Sequence, residues 1–164
     1  MRILIDGFNL IYKFPDLEGL MYESRLNLAR QGLLQILHRY SGAKKNTNIL
    51  VVFDGKKDVG SPVEKETFGD IRVYYSHDLT ADHCIKSVIR NDRVPANIYV
   101  VSSDKEILRY AKNHGCKFFT SEEFSGMIGK ELHSVPEEPE RDRPLAKEEV
   151  AEWMEIFRRK RNAE

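Results

Sequence analysis

The chain has 164 residues, 41% of them hydrophobic and 32% charged, which suits one core-bearing domain and excludes a disordered or fibrous protein. Its 26 basic and 26 acidic residues cancel, so there is no global electrostatic pull toward nucleic acid, and any such binding falls to local patches. No apolar run approaches the roughly 18 residues of a membrane span, and the N-terminus enters a strand-like run without a signal-peptide pattern, so a cytoplasmic location with no membrane partner is expected.

Residues 2–5 read as a short buried strand ending at Asp6, and a loop is expected around Phe14-Pro15-Asp16. Leu26, Ala29, Leu33, Leu37 and Tyr40 recur at helical spacing and predict a helix from about Glu23 to Tyr40, stopped by Ser41-Gly42. Residues 49–53 are fully apolar and read as a central strand, while residues 71–75 form a more alternating third strand. Between them, Gly55 to Gly69 carries Gly60-Ser61-Pro62 and six charges and reads as a surface loop. A helix from about Ala81 to Asn91 turns Ile85, Val88 and Ile89 inward, and residues 98–101 make the fourth strand. Ser103 with Glu106 three residues on suggests a capping box for a helix to His114, closed by Gly115. Lys117-Phe118-Phe119 is a fifth strand, and Thr120 with Glu123 opens another capped helix. Cys84 and Cys116 lack metal-ligand spacing and read as core thiols.

The expected organisation is a domain over residues 1–132, a charged, proline-rich linker over 133–144, and an amphipathic helix over 145–164 packing on the same domain. That helix carries Ala146, Val150, Trp153, Met154 and Phe157 on one stripe and ends in Arg158-Arg159-Lys160-Arg161, a polarity that also suits the helix dipole.

Four acids stand out against this rhythm. A βαβ series with right-handed crossovers makes an open parallel sheet with helices on both faces, and ligands bind beyond the carboxyl ends of its strands, where the strand order reverses. Asp6, Asp54 and Asp104 each fall at or just past such an end, and Asp82 lies in the first turn of the helix after the third strand. If the first strand lies between the second and fourth, the reversal falls between Asp6 and Asp104. Each acid also has a plainer reading: Asp54-Gly55 as a turn, Asp82 and Asp104 as acids at helix N-termini, Glu106 as a capping partner. Asp6 has no obvious helix to cap. Carboxylates crowded at one edge need protonation or a cation, and hard oxygen donors without cysteine or spaced histidine favour Mg2+ or Mn2+. Such an ion positions a water against a phosphate, and the chemistry indicated is phosphodiester hydrolysis. A dinucleotide-binding turn, a Walker motif, an aspartyl-phosphatase acid pair and a nucleophile elbow are all missing.

The runs Ile5-Asp6-Gly7-Phe8-Asn9-Leu10, Val52-Phe53-Asp54-Gly55, Thr80-Ala81-Asp82 and Ser102-Ser103-Asp104 resemble, in order and spacing, the NYN branch of the PIN-like nucleases and within it the YacP-like proteins. The resemblance implies a PIN-like three-layer α/β/α fold with a mostly parallel central sheet and metal-dependent endonucleolytic cleavage of RNA. It places catalytic and metal-holding roles on Asp6, Asp82 and Asp104, with Asp54 nearby. Asn9 would orient Asp6 or contact a phosphate, and Ser102 and Ser103 would support Asp104 or the metal waters. Related proteins often carry a second aspartate where this chain has Glu106, which leaves open whether Glu106 ligates metal or only caps its helix. The resemblance also raises a ribosome-associated RNA partner.

RNA contacts are expected from Lys56 and Lys57 on a mobile loop, from Lys105 beside Asp104, and from Arg158 and Arg159. Phe8 and Tyr12 are candidates to stack a base, with core packing an equal alternative for Phe8. The reading is a Mg2+- or Mn2+-dependent endoribonuclease preferring single-stranded RNA such as mRNA. The alternative is a PIN-like RNA-binding module without turnover.

Overall fold

Alternating apolar side chains give the strands two buried faces, and helices cover both. The computed structural model describes residues 1–134. Residues 135–164, with most of the expected linker, the expected terminal helix and Arg158 and Arg159, lie outside the described residues.

In β1 (Arg2–Asp6), Ile3 and Ile5 face one layer and Leu4 the other. The first layer holds α1 (Gly7–Ile11), α2 (Pro15–Tyr22), α3 (Leu26–Ala43) and α6 (Ser121–Ser134). The second holds α4 (Ala81–Asn91) and α5 (Lys105–Asn113), whose Ile85, Ile89, Ile107 and Ala111 meet Leu4, Leu50 and Val100. Cys116 is buried in this second core and Cys84 packs against it, as core thiols do.

With β2 (Asn48–Phe53), β3 (Lys65–Phe68), β4 (Ile71–Tyr75), β5 (Ile98–Val101) and β6 (Lys117–Phe119), the sheet has the order β3-β4-β2-β1-β5-β6. Every pairing is parallel except β3 with β4. The first strand therefore lies between β2 and β5, and the strand order reverses there as the sequence suggests.

Besides α3, which starts at Leu26 and runs through Ser41-Gly42 to Ala43, three local expectations are corrected. The segment before α3 is not a plain loop. Glycine and asparagine after Asp6 begin α1, and Pro15 at the first position of α2 fits its fixed φ to a helix start, with Leu17 and Leu20 burying one face. Second, the loop after β2 ends in a strand. Its sequence Lys-Glu-Thr-Phe is too polar to read as buried, yet it pairs antiparallel with β4 across the two-residue turn Gly69-Asp70, where Gly69 takes φ 59°. Third, α6 continues through Ser134, so the first two residues of the expected linker are helical.

Candidate active site

Strand register assembles the edge. Asp6 is level with Val52 on β2, which puts Asp54 just beyond, and Ile5 is level with Val101 on β5, which brings Ser102 beside Asp6. Gly7 lets α1 start this close to the sheet, because a Cβ there would meet the Phe53 ring at 2.4 Å and Val51 at 3.0 Å. The chain can thus turn directly from Asp6 into a helix, one that sequence reading missed.

Ser102 is fully buried and ties two acids together. Its Oγ donates to Asp6 Oδ2 at 3.2 Å and accepts the Asp104 backbone N–H at 3.1 Å. Asp104 is the N-cap of α5, its Oδ1 accepting the Glu106 N–H at 2.8 Å and, at a longer 3.5 Å, that of Ile107. Ser103 is therefore not the cap. Its N–H goes to Asn9 Oδ1 at 3.0 Å and its Oγ to Glu122 Oε2 at 2.9 Å. Asn9, which also receives a long 3.4 Å bond from Ser121 Oγ, is a clamp joining α1 to the β5–α5 turn and to α6. By contrast, the expected Thr120–Glu123 capping box is present in both directions, at 3.1 and 3.3 Å.

Asp6 carries the electrostatic strain of the edge. Burial pushes its carboxyl up to about 6; the Ser102 hydroxyl and the Asn9 backbone N–H pull against the rise, and the charges of Asp104 and Asp54 add to it. Its own side chain makes no aligned capping bond to α1.

The other two acids are tied to α4. Asp54 Oδ1 accepts the Ala81 N–H at 2.9 Å and, more weakly, Ser76 Oγ at 3.4 Å, so it fastens the end of β2 to the start of the helix that carries Asp82. Thr80 completes that start by accepting the His83 N–H at 3.1 Å. Asp82 Oδ2 lies 3.1 Å from Lys86 Nζ one turn along, and the same ammonium reaches Glu106 Oε1 at 3.0 Å. The Glu106 side chain is thus an ion-pair partner, not half of a capping box.

The chemistry of this donor set suits a hard divalent cation: all oxygen, with an Asp6 carboxyl that ionises against its neighbours and a buried Asp82 Oδ1 that has no hydrogen-bond partner. In their present arrangement, no three carboxylate, histidine or cysteine side chains among the described residues converge tightly enough to hold an ion.

Of the expected RNA contacts, Lys56 and Lys105 are exposed, whereas Lys57 Nζ is bound to Glu66 Oε2 at 2.6 Å. Glu66 also accepts from the Tyr75 hydroxyl at 2.6 Å; burial raises its carboxyl, but these two bonds win and the net shift is downward. The loop is not free to swing at its start. Arg30, only 5% exposed, donates to the Lys56 carbonyl at 3.2 Å and the Lys57 carbonyl at 2.6 Å. Its guanidinium lies 5.7–5.9 Å from the ring centroids of Phe8, Phe53 and Tyr75. Asn27 Nδ2 adds a bond to Asp58 at 2.7 Å. Phe8 is thereby held in this packing, 5.4 Å from Phe53, while Tyr12 is 44% exposed and available to a base. Arg30, Lys86 and the Lys13–Glu122 pair, 2.6 Å long beside Ser103, were missed by sequence reading. The available signal for Arg30 was a cation next to Ala29 on an otherwise apolar stripe, and for Lys86 its place four residues after Asp82.

A mostly parallel α/β sheet with acids gathered at its switch point is the architecture of a nuclease-type, PIN-like domain. The YacP-like NYN domain matches residues 3–159, and the chain belongs to that family. Among solved structures it is similar to Rae1 (YacP) from Bacillus subtilis, at 21% identity and a TM-score of 0.68, covering 99% of this chain and 91% of that one. A tryptophan-to-leucine variant of the same Bacillus subtilis protein matches at 22% identity and a TM-score of 0.66, covering 93% and 91%. At this identity the likeness is one of fold. No curated relative matches the chain. Among the described residues no helix is long and apolar enough to cross a membrane.

Proposed function

We propose that this protein is a Mg2+- or Mn2+-dependent endoribonuclease that hydrolyses phosphodiester bonds in single-stranded RNA, mRNA included. Membership of a nuclease-type family supports the reaction class. The observation that carries the reading is the Asp6–Ser102–Asp104 unit, in which one buried hydroxyl bonds the side chain of one acid and the backbone of the other. A surface made only to bind RNA gains nothing from concentrated negative charge, and the strain on Asp6 costs stability unless a cation relieves it.

Asp6, Asp82 and Asp104 would hold the ion. When bound, it would supply charge neutralisation and an activated water. Ser102 orients Asp6, Asn9 fixes the turn that carries Asp104, and Asp54 sets the start of the helix that carries Asp82. Lys56 and Lys105, both exposed, would meet phosphates, and the exposed Tyr12 would stack a base. RNA held on the ribosome is a candidate setting, from family resemblance alone.

The test is labelled single-stranded RNA incubated with Mn2+, Mg2+ or EDTA and with wild type, Asp6→Asn or Asp104→Asn. Metal-dependent products from wild type, lost in both folded variants, are expected; an unchanged rate in either variant overturns the assignment. A second reading, an RNA-binding module without turnover, is favoured by one observation. Asp54 and Asp104 spend an oxygen on helix caps, Asp82 pairs with Lys86, and no three ligands converge among the described residues. RNA binding without metal-dependent products is its signature.

A further inference from the structure

Lys86 occupies an unusual place for a surface lysine. Its Nζ lies 3.1 Å from Asp82 on its own helix and 3.0 Å from Glu106 on the next, and 5.6 Å from the centroid of the Tyr110 ring. The other oxygen of the same aspartate, Asp82 Oδ1, is buried with no hydrogen-bond partner. A helical ion pair four residues apart accounts for the first contact alone. It explains neither the second carboxylate drawn in from α5 nor the undonated oxygen, since burying such an acceptor without a partner is unfavourable.

We propose that Lys86 is the resident counter-ion of this edge and exchanges with a divalent cation at Asp82, setting the affinity with which that cation binds. This rests on the reading of Asp82 as a metal-holding residue. The physical reason is competition. A cation engaging Asp82 repels an ammonium already bound to that carboxylate, so one must leave. Lysine suits the role because its charge sits on a flexible stem with rotatable donors, and here the side chain is 21% exposed and can swing into solvent. With the ammonium in place, Asp82 and Glu106 are drawn together around Lys86, consistent with the lack of a converged ligand set among the described residues.

The test measures Mn2+ affinity directly, by calorimetry and by the electron paramagnetic resonance signal of free Mn2+, on the full-length chain without RNA. Lys86→Met should bind Mn2+ about two- to fivefold more tightly than wild type, the range expected from removing partly exposed ion-pair competition. Lys86→Arg, which keeps the charge, should stay near wild type. In an Asp82→Asn background the gain from Lys86→Met should vanish. Melting curves in EDTA provide the folding control. A lysine that only staples α4 to α5 would lower the melting temperature and leave Mn2+ affinity unchanged, and that result overturns the inference. If wild type binds Mn2+ and Lys86→Met binds it equally or less tightly, the inference falls while the metal-dependent reading stands. If neither protein binds Mn2+, both fall.

Discussion

Replacing Asp6 with asparagine should abolish cleavage and at the same time stabilise the fold. The carboxyl ionises near 3.8 in an ordinary setting and near 6 here, a rise of about two units that at 1.36 kcal/mol per unit sets a ceiling of about 3 kcal/mol at neutral pH. Solvent reaching this half-buried edge reduces that to about 1–2 kcal/mol, or about 3–8 °C in melting temperature for a chain of this size. Asparagine keeps an oxygen for the Ser102 hydroxyl, so the substitution removes charge more than contact.

The pH dependence fixes the sign. Between about pH 4 and 6 the folded state holds the Asp6 proton that the unfolded chain has released, so wild-type stability falls as pH rises through this window. Above it the loss is complete, and below it both forms are neutral. The excess stability of Asp6→Asn should therefore be near zero at about pH 4 and full at about pH 7.5. Urea unfolding of both proteins in EDTA across that range measures it. Saturating Mn2+ should then stabilise wild type more than the variant and narrow the gap. An excess that is the same at every pH, or a variant less stable than wild type at pH 7.5, would refute the account of Asp6 as a strained carboxylate.

Gly7→Ala should cost about 1–3 kcal/mol by forcing a Cβ against the Phe53 ring and Val51, read by chemical denaturation, and should depress cleavage further by displacing Asp6. Arg30→Lys should fail to preserve the loop after β2, because an ammonium cannot serve two carbonyls and three ring faces as the guanidinium does; faster amide exchange around residues 56–60 is the readout. Lys56→Ala should weaken RNA binding and lower its salt slope by about one phosphate contact, whereas Lys57→Ala should also cost stability by releasing Glu66. Asp104→Asn should retain the α5 cap and Asp104→Ala lose it, so the two should differ by about 1 kcal/mol in stability yet be equally inactive.

The sheet was legible because its strands are written in apolar runs and its helices in 3.6-residue stripes; the segment from Ala81 to Asn91 has the bounds that spacing indicated. The four acids could be placed at one edge because topology alone brings strand ends together. What sequence reading could not place was set by tertiary partners. The strand Lys65–Phe68 is stabilised by pairing with β4, not by its own polarity, and the cap of α5 fell to Asp104, whose Oδ1 takes the Glu106 N–H while the Ser103 hydroxyl is turned to Glu122. The expected mobility of the loop after β2 gave way to Arg30, whose burial depends on three aromatic rings that lie far apart in sequence.

The acids of this edge differ in how their charge is supported, and that difference bears on how a cation site can be built from them. Asp54 and Asp104 each accept a backbone N–H at a helix N-terminus, which fixes the direction of the side chain. Asp82 has a lysine one turn along its helix. Asp6 has the Ser102 hydroxyl and the Asn9 backbone N–H, which do not offset its burial and the negative charge of Asp104 and Asp54, and its carboxyl is pushed up to about 6. Two of the acids are therefore oriented by the fold itself, one is neutralised by a group that can leave, and one bears the electrostatic cost. On the proposed reading, a cation at this edge would gain most by relieving Asp6 and would compete with Lys86 at Asp82. The same arrangement makes the metal-free protein less stable than its core would allow, which is the sense in which its stability and its proposed chemistry are opposed.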